Sequence, residues 1–174
     1  LRTGLLEAGI LYILALKLKI GKIGIEEAAG IGIAYGAIEA ILTGFSNMVN
    51  VLVFYFMPGL IEKIPEAQRE FIVSSLSLET IVVFAPIIER ISALIIHVTA
   101  AVLVILALRS GLKYLFAAIA YKSLVDGIIP LLQPLLAQPS VYNYYIVEIP
   151  FIIIAALSVI ALKKLEAKLR LRET

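Results

Sequence analysis

Cysteine and tryptophan are absent from this 174-residue chain, histidine occurs once and methionine twice. Without cysteine there is no disulfide framework, no thiol nucleophile and no thiolate metal site. One histidine argues against a zinc centre, because the common catalytic sets use two or three; no metal and no cofactor are expected. Charge is scarce as well: 16% of residues are Asp, Glu, Lys or Arg, against about 25% in soluble domains. The chain has no Walker loop and no nucleophile–base motif, and Gly30-Ile31-Gly32 lies inside an apolar run, where it is no dinucleotide fingerprint. The net charge of +2 comes mostly from loops and tail, so nucleic acid is not an expected partner. No Gly/Ser-rich linker or change of composition divides the chain.

What the chain does have is apolar residues. They make up 61% of it, with a mean hydropathy of +1.03. A water-soluble fold of this size has too little interior to hide that surface. Lipid removes the difficulty, and the partner this composition implies is the bilayer. A span needs about 20 mostly apolar residues. Five segments approach that requirement, at about 1–17, 28–57, 78–108, 112–136 and 144–162, followed by a basic tail at 163–174. The expectation is an all-α, polytopic transmembrane helix bundle forming one domain over 1–174. The isoleucine-rich composition hints at a thermophilic source.

Loop charges set an orientation, because Lys and Arg gather on the cytoplasmic side. Lys17, Lys19 and Lys22 follow the first span, Arg109 and Lys113 the third, and Lys163, Lys164, Lys168, Arg170 and Arg172 the fifth. These alternate loops lie on one side, which places the protein in the cell membrane with the Leu1 end outside and the C-terminus cytoplasmic. The tail is also suited to anionic lipid at the inner leaflet. Pro58, Gly59 and Pro65 interrupt the chain after the second span, where Ile61 to Phe71 has the look of an interfacial amphipathic helix. Pro130 and Pro134 are expected to bend or end the fourth span. Gly30, Gly32, Ala34, Gly36, Ala37 and Ala40 form a small-residue stripe that lets a neighbouring helix approach closely.

Ionisable side chains within spans cost roughly 2.5–3.5 kcal/mol each on insertion scales, so they face the bundle interior and pair. This chain carries Glu7, Glu39, Glu89, Arg90, His97, Lys122, Asp126 and, nearer a span end, Glu148. Arg90 and His97, seven apart, share a helix face, as do Tyr35 and Glu39, four apart. Lys122 and Asp126 are one turn apart and close enough to neutralise each other. Glu89 and Arg90 read equally as a brace between helices, His97 as a histidine bonded within the bundle, and Glu7 as a residue of the outer interface.

The order of these groups resembles the YhfC family of glutamic-type intramembrane proteases. The resemblance is carried by Gly32-Ile-Ala-Tyr-Gly-Ala-Ile-Glu-Ala-Ile41, then Asn47 and Asn50, then Glu89-Arg90-Ile-Ser-Ala-Leu-Ile-Ile-His97, then Lys122-Ser-Leu-Val-Asp126. It implies hydrolysis of a peptide bond within the membrane, with a transmembrane protein as substrate. Glu7, Glu39, His97 and Asp126 would be the catalytic set, supported by Tyr35, Asn47, Glu89, Arg90 and Lys122. It also implies further spans before the point where this sequence starts. The motifs depart from the family pattern in three places. Glu7 stands alone where a Glu-Glu-x-x-Arg is usual, with Ala8 and Leu11 at the other positions; Tyr35 replaces a histidine; and Lys122 replaces the histidine of the last motif. Two alternatives stay open: a non-catalytic relative serving as subunit or scaffold of a membrane complex, and a small transporter component.

Overall fold

Backbone in lipid finds no water to bond, so a spanning chain must close its own hydrogen bonds, and an α-helix does so within one segment. The computed structural model describes residues 2–173, with side chains at 4–66 and 68–167. It is 90% helical, with no strand among the described residues. The elements are α1 (Arg2–Lys17), α2 (Ile25–Phe56), α3 (Glu66–Leu76), α4 (Phe84–Ser110), α5 (Lys113–Leu136) and α6 (Val141–Glu173). Short 3-10 turns at Ile20–Lys22, Pro58–Lys63 and Thr80–Val83 connect them. Four helical segments are long and apolar enough to cross a membrane: Ile25–Phe56, Thr80–Ser110, Lys113–Leu136 and Val141–Ala167. The first expected span corresponds to α1, whose 16 residues fall short of the roughly 20 a crossing needs.

The fourth span ends at Leu136 as expected, and α5 runs through Pro130 and Pro134 to reach it, since each proline removes only one donor and the rest of the helix still holds. Two local expectations change. The amphipathic helix expected from Ile61 begins later. Pro65 stands immediately ahead of α3, where its locked backbone suits entry to the first turn but not an uninterrupted helix through it. The basic tail is not a separate segment, because α6 continues to Glu173. The side chains of Lys168, Arg170 and Arg172, and Leu1 itself, lie outside the described residues.

Helix α4 is the central element and packs against α1, α2, α5 and α6. Its second half buries Ala100, Ala101, Val102, Val104, Ile105, Leu106 and Ala107. In contrast, Ile41, Leu42, Phe45, Tyr55 and Phe56 of α2 are exposed, an apolar face that water would penalise and lipid accepts. Two glycines set the closest helix approaches. A Cβ on Gly32 of α2 would lie 2.8 Å from the His97 carbonyl oxygen of α4, and one on Gly4 of α1 would lie 2.7 Å from the Ile119 carbonyl oxygen of α5. The small-residue stripe thus does act as a contact face at Gly32, while Gly30 has open space where a Cβ would sit.

Candidate active site

The backbone contact at Gly32 fixes how α2 and α4 meet, and seven residues further along α2 this contact delivers Glu39 to His97. Glu39 Oε2 lies 2.9 Å from His97 Nε2. Arg90 approaches the same carboxylate, with Nη1 3.6 Å from Glu39 Oε1. Its Nε also donates to Glu89 Oε2 at 3.3 Å, and its Nη2 pairs with Glu89 Oε1. The Tyr35 ring lies against the His97 ring, with centroids 4.9 Å apart. His97 itself is only 5% exposed. The two shared-face pairs read from helical spacing therefore converge on one point: Tyr35 and Glu39 from α2, Arg90 and His97 from α4.

On the other side of α4, the Gly4 contact brings α1 onto α5. Lys122, also 5% exposed, directs Nζ to Glu7 Oε2 at 2.8 Å. This overturns the expected Lys122–Asp126 pair. One turn of helix brings those two side chains near each other, but the α1 carboxylate meets the ammonium across a helix contact. Glu7 is consequently a partly buried member of the cluster. The ammonium approaches Glu7 Oε2 off the hydrogen-bonding direction, so that oxygen keeps acceptor capacity. Asp126 makes no ion pair with any described residue, and one of its oxygens is buried without a hydrogen bond.

Two voids flank this cluster. A cavity of about 300 Å³ is lined by Glu39, Glu89, Arg90, His97, Lys122 and Asp126 together with apolar groups of α4, α5 and α6. It extends from Lys122, about four turns or roughly 20 Å from the end of α5, out to Leu136 and Tyr144 beside the α5–α6 connection. The Tyr145 hydroxyl donates to the Ile81 carbonyl at 2.7 Å, tying α6 to the turn before α4 at that end. The second void, about 20 Å³, is lined by Glu7, Tyr35, His97 and Lys122 together with the apolar residues Ala8, Leu11, Ala100, Ala101 and Val104. That is the size of a single-water site, and the four polar side chains in a mainly apolar wall supply partners for one. His97 and Lys122 line both voids.

Asn47 does not join the cluster. It is exposed on α2, two turns beyond Glu39. Conversely, Glu148 of α6 lines the large cavity at 7% exposure, although the sequence placed it only among the ionisable residues and outside the site. The signal available for it was a carboxylate two turns inside an apolar helix.

The YhfC intramembrane metalloprotease family matches residues 1–151, a stretch that contains every residue of the cluster. The chain belongs to this family. No curated protein and no solved structure matches it.

The family's name implies a metal, and the donors present here do not fit one. No three His, Cys, Asp or Glu side chains gather at metal-binding distance among the described residues. Of the carboxylates that might ligate, Glu39 is engaged by His97 and Arg90, Glu89 by Arg90 and Glu7 by Lys122, while Asp126 and Glu148 have no ion pair among the described residues but belong to no group of three donors at metal-binding distance. Lys122 offers positive charge and no lone pair to a cation. What this cluster can do is move a proton between carboxylate and imidazole and stabilise negative charge with its own cations.

Proposed function

We propose that this YhfC-family protein hydrolyses a peptide bond of a transmembrane substrate, using the Glu39–His97 pair in place of a metal. The observation that carries the reading is the position of His97 and Lys122 in the wall between a water-sized void and a larger cavity. Water on one side and the scissile carbonyl on the other would meet across these two side chains. Glu39 orients the imidazole through Nε2 and stabilises its charged form; His97 takes a proton as the water oxygen adds to the carbonyl carbon. The resulting oxyanion faces the Lys122 ammonium in a site shielded from bulk water, where such a charge is most effective. Collapse breaks the C–N bond, and the proton on His97 passes to the leaving amine. The loop charges would put the cavity mouth, beside the α5–α6 connection, on the outer side of the membrane.

The second reading is a non-catalytic relative in a membrane complex. It is favoured by the pairing of Glu7, Glu39 and Glu89 with cations, an arrangement that also serves as a brace. Cleavage of single-span substrates in proteoliposomes separates the two. Activity abolished by both Glu39→Gln and His97→Ala supports hydrolysis. A folded native protein that cleaves nothing across the panel, yet is more stable than either variant, supports the brace.

A further inference from the structure

The large cavity carries a charge imbalance that the hydrolytic reading does not use. Its wall holds four carboxylates, Glu39, Glu89, Asp126 and Glu148, against the two fixed cations Arg90 and Lys122. Arg90 is shared between Glu39 and Glu89, and Lys122 is turned to Glu7. Asp126 and Glu148 are left with no ion-pair partner among the described residues, and each has a buried oxygen that accepts no hydrogen bond. Glu148 is the sharper case, being 7% exposed and within electrostatic reach of both the Glu89 carboxylate and the Arg90 guanidinium, with an ion pair to neither. An ionised carboxylate held this way away from water costs several kcal/mol. Two carboxylates left without an ion pair beside one cavity suit a cation arriving from outside.

The rest of the wall says which kind. Ile129, Leu132, Leu136 and Phe151 line the same cavity, a surface suited to a hydrocarbon stem. A bare divalent ion is a poor fit, since no third ligand of the right type stands within reach among the described residues. At about 300 Å³ the cavity is at the small end of ligand sites, enough for one alkyl chain with a charged head.

We propose that Asp126 and Glu148 form a binding site for an ammonium or guanidinium group on an apolar stem. Two sources share that chemistry: a free amphiphilic amine, and a Lys or Arg side chain on a transmembrane peptide. The proposal concerns binding alone and goes beyond hydrolysis; it stands whether or not a bond is cut.

The test uses the full chain in uncharged nanodiscs, with hexylammonium as probe, hexanol as its neutral counterpart and zinc as a bare cation. Thermal unfolding and calorimetric titration are the readouts. Hexylammonium is expected to bind about 10- to 100-fold more tightly than hexanol, the size of one charge-assisted hydrogen bond in a buried site. Glu148→Gln is expected to remove that preference, and Asp126→Asn to reduce it. Neither variant should lose ligand-free stability, because each removes a carboxylate that has no ion-pair partner among the described residues. Equal binding of hexylammonium and hexanol, retention of the preference in the Glu148→Gln, Asp126→Asn double variant, or zinc binding that needs these two carboxylates would each overturn the proposal. A single-span peptide with one Lys near its outer end then identifies the source. If it displaces hexylammonium while its Lys→Leu version does not, the cation is a side chain. If neither displaces it, the ligand is the free amphiphile, and the site stands as proposed.

Discussion

The Lys122 ammonium lies 2.8 Å from Glu7 on α1, while Asp126, one turn along Lys122's own helix, makes no ion pair with any described residue. A pair within one helix closes with no tertiary contact. A pair between helices closes only when two backbones meet at a set depth and rotation. The protein has the second kind, so the ion pair doubles as a clamp between the first helix and the fifth.

Breaking that clamp on one side should be severe. Lys122→Met leaves Glu7 without its cation and is expected to cost about 3–5 kcal/mol, read as loss of resistance to denaturant in mixed micelles. Adding Glu7→Gln to the same chain should restore most of it. A double variant no more stable than Lys122→Met would show that the two residues are not coupled.

Asp126→Asn should behave in the opposite way, changing stability by no more than about 0.5 kcal/mol or raising it. Denaturation of this variant beside Lys122→Met separates the two possible partners of the ammonium. A loss as large as that of Lys122→Met would restore the pair within α5.

Gly32→Ala is expected to destabilise by about 1–3 kcal/mol, because the added methyl must push α2 away from the α4 backbone. The same displacement separates Glu39 from His97, so any peptidase activity should fall with it. Gly30→Ala, which enters open space, should be neutral or slightly stabilising, since alanine is the better helix former. Unfolding of the two variants side by side decides this; an equal gain in both would mean that only helix propensity acts at these positions and that Gly32 makes no close approach.

Chelation should not alter the protein. The donor set at the cluster implies less than stoichiometric zinc after purification, and incubation with EDTA should leave the unfolding temperature and any peptide cleavage unchanged. Elemental analysis that finds one tightly held divalent ion per chain would contradict the assignment of Glu39 and Glu7 to protein cations.

How much of this was legible from residues alone follows a physical line. The spans were, because lipid selects long apolar segments and each helix satisfies its own backbone. So were the cluster's members on each helix: Tyr35 with Glu39, and Arg90 with His97, lie on common faces by periodicity alone. The small-residue stripe announced that another helix would come close, yet only the fold selected Gly32, and less tightly Gly36, as touching points and left Gly30 open. Pro130 and Pro134 carried a signal for a bend or an end, and α5 passes through both before it ends at Leu136. The choice of Glu7 over Asp126 as the partner of Lys122, the entry of Glu148 into the cavity and the exclusion of Asn47 all depended on helix rotation and relative depth. Those are properties of pairs of helices, and spacing within one helix carries no information about where its neighbour stands.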